Sequence, residues 1–233
     1  MFLKSAHLYD LIYAFKDYAG ESEQVRAVIA RHATSGGRAL LDAGCGSGAH
    51  ARHLSAHMDI TGIDLDAGLI EVARERVPEG KFQVGDMRDF DLGAQFDAVI
   101  CLFSAIGYVG TVEALNATLA CFARHTRQGG VVLVEPWFYP GQLWNNYVTT
   151  RHVDQAGALQ VVRMSHTTVE GKLSTLDFRY LVGTPEGIEY FTEEHRLTCF
   201  SHEEYSAAFE AAGLRVSLET PGLDGRGLYI GVK

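Results

Sequence analysis

The sequence predicts an α/β domain: a mostly parallel seven-stranded sheet with helices on both faces, and an antiparallel β insertion after its fifth strand. Three observations predict it. From residue 39 to 136, short β-rich runs alternate with segments of helical spacing, the pattern that places a parallel sheet between two layers of helices. Residues 158 to 200 then hold three extended runs joined by turns, which describes an antiparallel meander. A helix and two strands follow, enough to complete the sheet.

The elements run in this order. Residues 1–37 read as one or two helices forming a cap over the domain; Lys4, Asp10 and the tyrosines of MFLKSAHLYDLIYAF break any signal-peptide core. The strands are RALLDAG (38–44), DITGIDL (59–65), KFQVGD (81–86), FDAVICLF (96–103) and GGVVLVEPW (129–137), with helical segments around 48–57, 66–76 and 111–125. The insertion spans 138–200, with extended runs at 158–169, 173–182 and 188–200, and serves as a substrate lid, a dimer surface or both. In SHEEYSAAFEAAG, Ser201 with Glu204 three residues later marks a helix start and Gly213 its end. LRVSLE and GLYIGVK close the sheet, so the main domain comprises 38–137 and 201–233.

Composition narrows the partners. A net charge of −9 with no Lys/Arg cluster argues against a nucleic-acid surface or an anionic membrane, and no 18-residue apolar run is present. A small molecule or a second copy of the chain is expected instead. Cys45, Cys101, Cys121 and Cys199 lie far apart without CxxC spacing, as free thiols in a reducing cytoplasm do. No metal set is expected: His50, His53 and His57 share a helix face but no carboxylate or cysteine joins them, so they read as surface histidines, with only His50 near the chemistry.

That chemistry centres on LLDAGCGSGAH, residues 40–50, where three glycines alternate between a strand and a helix. No Lys follows Gly48, so the loop is not a Walker loop. A dinucleotide fingerprint is formally met by Gly44, Gly46 and Ala49, with Asp64 twenty residues after Gly44, which keeps a dehydrogenase open. Asp42 weighs against it. A pyrophosphate seeks the positive end of a helix, and an acid at the preceding strand end opposes that charge. S-adenosylmethionine has no phosphate and carries an ammonium and a sulfonium, so acids at strand ends suit it: Asp42 beside the glycines, Asp64 toward the ribose hydroxyls, and Asp86 toward the adenine amino group with Met87 against the ring.

In LLDAGCGSG, GIDL, GDMRDF, FDAVICLFSAIGY and GGVVLVEPW the chain resembles the class I S-adenosylmethionine-dependent methyltransferases. The resemblance implies a Rossmann-like fold and a cofactor cleft formed by Tyr18, Asp42, Ala43, Gly44, Gly46, Gly48, His50, Asp64, Leu65, Asp86, Met87 and Phe103. HLYDLIYAFKDY, EPWFYP, Tyr147, GluHis at 194–195 and GRGLYIGV look further like the N,N-dimethyltransferases of TDP-linked amino sugars. That likeness implies N-methylation of a sugar amine, with Tyr13 beside the amine and Tyr147 and Arg226 holding the diphosphate-sugar. Trp137, at the end of the fifth strand, joins the substrate set, and Tyr13, Tyr108 and His195 are the candidate proton carriers. Two departures fall on the acceptor side: SAIGY places Tyr108 where those enzymes have a histidine, and their longer loop between the tyrosines is shortened to AlaPheLys. Another small amine or hydroxyl acceptor, or a cofactor-binding protein without catalysis, stays open at this point.

Overall fold

The computed structural model describes residues 8–155 and 157–233; the first seven residues of the expected cap and Ala156 lie outside the described residues. Two helices open the chain, α1 (Tyr9–Ile12) and α2 (Tyr18–His32). Then β1 (Ala39–Ala43), α3 (Ala49–Leu54), β2 (Asp59–Asp64), α4 (Ala67–Arg76), β3 (Lys81–Val84) and β4 (Phe96–Cys101) alternate. A short 3-10 helix (Ala105–Val109), α5 (Val112–His125) and β5 (Thr126–Val134) complete this half. Strands β6 (Tyr147–Gln155), β7 (Leu159–Glu170), β8 (Leu173–Thr184) and β9 (Gly187–Thr198) follow, and α6 (His202–Ala211), β10 (Arg215–Glu219) and β11 (Leu228–Val232) end the chain.

The large sheet has the order β10-β11-β5-β4-β1-β2-β3, with β11 antiparallel to both of its neighbours. Because β4 is covered on both faces, all six of its residues are buried, which is why FDAVIC shows no alternation. Leu41, Ala43 and Val99 pack on one face with Phe122 of α5 and Phe209 of α6. Leu40, Ala98 and Ile100 pack on the other with Val25 of α2 and Leu54 of α3. Each fully buried Leu, Ile or Val contributes roughly 1.5–3 kcal/mol. The cap of α6 forms as the sequence predicts: Ser201 Oγ accepts from Glu204 N and Glu204 reaches back to Ser201 N. Helix α3 is shorter than the expected segment 48–57: it stops at Leu54, so His57 lies beyond it and does not share its face with His50 and His53.

The insertion is a four-stranded antiparallel sheet in the order β6-β7-β8-β9. Its first strand, β6, was not anticipated: YVTTRHVDQ is an exposed edge with only Val153 partly buried, so no period of two betrays it. The inner face of this sheet carries Val161, Phe178, Tyr180 and Phe191, and Leu8 and Ile12 of the N-terminal segment seal it. The same segment reaches the other sheet. Asp10 bonds Ser47 Oγ at 2.7 Å in the glycine loop and pairs with Arg76 of α4, while the Tyr13 hydroxyl accepts from Arg163 of β7 at 2.9 Å.

Candidate active site

The site lies at the carboxyl ends of β1, β2 and β4, where the first turns must bend sharply. Gly44, Gly46 and Gly48 all have positive φ, and a Cβ on Gly44 would come within 2.7 Å of Ala105 Cβ. The loop is tied down from β2: Gly44 N and Cys45 N donate to Ile63 O, and Gly46 N donates to Asp64 Oδ2 at 2.9 Å. Asp64 Oδ1 accepts from Asp66 N at 2.9 Å. Each oxygen keeps a second lone pair, so Asp64 can shape the loop and still face a ligand hydroxyl.

Two non-glycine residues after β4, Phe103 (φ 49) and Ser104 (φ 61), also stand in the left-handed region. Such conformations cost on the order of 1–3 kcal/mol each and persist where surroundings hold them. Here Glu135 Oε2 accepts from Phe103 N at 2.6 Å, and Ser104 Oγ donates to Pro136 O at 2.8 Å. Glu135 is fully buried and its pKa is raised by burial and by Asp224, against the pull of Lys16 and Arg226. The result sets Phe103 in the cleft, its ring edge-on to Tyr13 at 5.1 Å.

A cavity of about 300 Å³ opens there. Asp64, Leu65, Gly85 and Met87 line it from the ends of β2 and β3, and Tyr108, Trp137, Leu176, Phe178 and Leu197 complete the lining. A narrower space of about 30 Å³, bounded by Tyr18, Asp42, Ser47 and His50, shares Tyr9, Gly44, Gly46, Leu102 and Phe103 with it. Asp42 is only 3% exposed, and no hydrogen bond or ion pair reaches its carboxylate among the described residues. Its pKa is pushed up to about 7 by burial and then by Asp64. The Tyr18 hydroxyl is likewise buried and without a partner among the described residues. An orphaned acid and an orphaned hydroxyl around one narrow space fit the amino-acid end of S-adenosylmethionine, which brings an ammonium and a carboxylate.

Beside them Glu21 accepts from Lys16 and meets His50 Nε2 at 2.8 Å. Hydrogen bonds from both partners lower the Glu21 pKa, while burial lowers that of His50. His50 is therefore an interior residue, whereas His53 and His57 are exposed, as expected of surface histidines.

Comparison with known proteins agrees with this geometry. A family model described as a methyltransferase domain matches residues 40–130. A dTDP-3-amino-3,6-dideoxy-alpha-D-glucopyranose N,N-dimethyltransferase of Streptomyces fradiae is 42% identical over 97% of this chain and 90% of its own. The chain belongs to the dTDP-amino-sugar N,N-dimethyltransferase family. It is an S-adenosylmethionine-dependent methyltransferase. A dTDP-3-amino-3,4,6-trideoxy-alpha-D-glucopyranose N,N-dimethyltransferase of Streptomyces venezuelae is 41% identical, with 97% of both chains covered. The solved structure of Streptomyces venezuelae DesVI superposes with a TM-score of 0.91 at 39% identity, over 98% of both chains. An S-adenosylmethionine-bound amino pentose methyltransferase from Micromonospora echinaspora gives a TM-score of 0.86 at 37% identity, over 96% of this chain and 95% of that one.

Not every expected residue of this methyltransferase reaches the cleft in the same way. Tyr18, Asp42, Gly44, Gly46, His50, Asp64, Leu65, Met87 and Phe103 line one or both cavities, as do Tyr13, Tyr108 and Trp137. Ala43 is fully buried in the core, and Gly48 caps α3 against Ala73, so their side of the loop supports the site from behind. Asp86 lies between two lining residues, but its carboxylate is held by Arg88, which lowers its pKa. Tyr147 projects from the exposed edge strand β6 and packs on Trp144 at 5.2 Å, outside the cavity lining. Arg226 bonds Glu135, Asp224 and Pro136 O, with its guanidinium 5.1 Å from the Phe138 ring. Its Nε and Nη2 are thus engaged within the protein, and the expected role of Arg226 in holding the diphosphate-sugar stays a proposal. His195 is 1% exposed and sits behind Tyr108, its Nδ1 2.8 Å from the Tyr108 hydroxyl. Reading the sequence missed Tyr9, Lys16, Glu21, Arg163 and Glu193. Only the inward register of Glu193 with Phe191, His195 and Leu197 was available as a signal.

Proposed function

We propose that this enzyme N-methylates the amino group of a nucleotide-linked amino sugar. The observation that carries the reading is full-length similarity, at 42% and 41% identity, to two enzymes whose names specify dTDP-3-amino sugars. Within the cleft, the apolar wall of Trp137, Leu176, Phe178 and Leu197 suits the face of a deoxygenated sugar. Trp137 is fixed for this by donating from Nε1 to Ser174 Oγ at 2.9 Å.

When bound, S-adenosylmethionine supplies an electrophilic methyl group on a positively charged sulfur. The chain's own residues hold, orient and exclude water. Asp42 and Tyr18 would hold the cofactor's amino-acid end, Asp64 its ribose, and Leu65, Met87 and Asp86 its base, Asp86 from within its pairing with Arg88. Tyr9 and Phe103 lie where the two cavities join and Tyr13 lines the larger one, and their ring faces favour a cationic centre by about 0.5–2 kcal/mol each. Holding an amine in line with the methyl group accounts for roughly 7–11 kcal/mol of the barrier in well-oriented cases.

The outer face of the insertion sheet exposes Met164, Leu181, Ile188 and Tyr190, an apolar patch that supports a homodimer; light scattering tests it. Four buried free cysteines favour a reducing cytoplasm as the site of action, and no helix of the described residues is long and apolar enough to cross a membrane. The domain reading, a cofactor domain of 38–137 and 201–233 with a lid of 138–200 and a cap of 1–37, rests on the way Phe178 and Leu197 close the cavity. The test of function is mass spectrometry of products from dTDP-3-amino-3,6-dideoxyglucose, its 4-deoxy analogue and dTDP-4-amino-2,3,4,6-tetradeoxyglucose with isotopically labelled cofactor. Incorporation of one and then two methyl groups on the sugar nitrogen is expected. Transfer only to simple amines or hydroxyl acceptors would replace this reading with a different acceptor class.

A further inference from the structure

An amino sugar at neutral pH arrives largely as an ammonium, and its nitrogen can attack only after losing a proton. A second methylation requires the loss of another. The polar groups on the acceptor side of the cavity are therefore asked to take protons, and the structure distinguishes among them. The Tyr13 hydroxyl already accepts from Arg163, a permanent cation 6% exposed whose guanidinium also lies 4.4 Å from the Phe178 ring. A proton moving onto Tyr13 would face that charge directly. Tyr108 differs: it lines the cavity and is 41% exposed, and behind it stands a buried imidazole.

Tyr108 Oη and His195 Nδ1 are 2.8 Å apart, and His195 Nε2 lies 3.7 Å from Glu193 Oε2. An acid on the Nε2 side favours a proton there, which leaves Nδ1 as an acceptor for the Tyr108 O–H. We propose that Tyr108 and His195 form a proton relay that removes the proton of the acceptor ammonium. The ammonium N–H bond breaks as a new bond forms to Tyr108 Oη, while the original Tyr108 O–H bond breaks as His195 Nδ1–H forms. Tyr108 stays neutral throughout, and the imidazolium faces the Glu193 carboxylate. After product leaves, the proton returns by the same two atoms to water in the cavity.

The surroundings agree with a transient carrier. Burial lowers the His195 pKa and Arg163 opposes its charging, while Glu193 favours it, so the ring rests neutral and is ready to accept. Although the ring is 41% exposed, the surroundings of the Tyr108 hydroxyl are buried and raise its pKa, so the phenol stays protonated and transfer runs through the hydroxyl. Phe178, 4.8 Å from the His195 ring centroid, fixes the imidazole plane. Tyr108 touches the acceptor and is a catalytic residue in this scheme; His195 and Glu193 act through it.

The proposal rests on the amino-sugar reading, and its test uses dTDP-3-amino-3,6-dideoxyglucose with the full chain. Tyr108→Phe keeps the ring and removes the relay oxygen. We expect kcat near neutral pH to fall by about a hundredfold, with cofactor affinity by calorimetry unchanged and the loss shrinking above the amine's own pKa. The solvent isotope effect of the wild-type enzyme should disappear in the variant, and His195→Gln should reproduce the same profile. Nitrogen NMR of histidine-labelled protein should show His195 neutral and protonated on Nε2. A Tyr108→Phe enzyme with wild-type kcat at neutral pH, a loss equal at every pH, or an Nδ1-protonated His195 overturns the relay while wild-type turnover leaves the function reading intact. No sugar methylation by the wild type overturns both.

Discussion

Asp42 offers the sharpest quantitative test of the cofactor site. Raising its pKa from an ordinary 3.8 to about 7 corresponds to about 4 kcal/mol against the charged carboxylate at most. Because the folded pKa is the higher one, this cost is absent below the unfolded value of about 4, grows as pH rises, and is complete above about 7. The protein without cofactor should therefore lose stability from this group across that window. A cationic ligand beside Asp42 removes the cost, so binding should favour the ionised carboxylate. Affinity then weakens by about tenfold for each pH unit below 7.

The perturbation is Asp42→Asn, which keeps the shape and abolishes the titration. Calorimetric affinity for S-adenosylmethionine should be weaker than wild type at and above neutrality, with the two curves converging as pH falls. The ratio of the two affinities cancels the ligand's own titration. Parallel affinity curves for wild type and Asp42→Asn over the acid range would refute the assignment of Asp42 to the cationic end.

Three further outcomes are expected. Asp64→Ala should weaken cofactor binding by about 1.5–3 kcal/mol, the range for hydrogen bonds to a charged group, measured by calorimetry; unchanged affinity would remove Asp64 from the site. Gly44→Ala forces a Cβ to within 2.7 Å of Ala105 at a φ of +78°, and should cost at least about 1–2 kcal/mol for the left-handed conformation alone, seen as a lower urea midpoint with cofactor binding lost. Arg226→Ala leaves the buried Glu135 without its cation and should destabilise by about 3 kcal/mol, the lower end for breaking a buried pair. Chemical denaturation checks it: a variant as stable as wild type with only a raised KM would assign Arg226 to the diphosphate instead.

The parallel sheet and the cofactor loop were legible because their physics is local. A strand ending in an acid, followed by glycines that must adopt positive φ, leaves the same mark in any sequence, and Asp42, Gly44, Gly46 and Asp64 all line the cavities. The acceptor side was less legible for the opposite reason. Arg226 finds Glu135 from 91 residues away and Arg163 finds Tyr13 from 150, and no local pattern announces either pairing. Strand β6 escaped notice because an exposed edge strand buries nothing that would set a period of two. Asp86 follows β3 between two cavity-lining residues, and its pairing with Arg88, two residues on, leaves no periodic mark in the sequence.

These two kinds of legibility follow the division of labour in the molecule. The cofactor end is made by consecutive strand ends of one sheet, where backbone conformation does most of the positioning. Much of the cavity's remaining wall is made by Leu176, Phe178 and Leu197 of the second sheet, and the N-terminal segment spans both sheets, through Asp10 to Ser47 and Arg76 and through Tyr13 to Arg163. A change in acceptor therefore needs only new side chains at positions such as 108, 176, 178 and 197 on a backbone already fixed by hydrogen-bonded pairing. Tyr108 is one such position, and His195, already facing inward on β9, is the residue that gives its hydroxyl a hydrogen-bond partner.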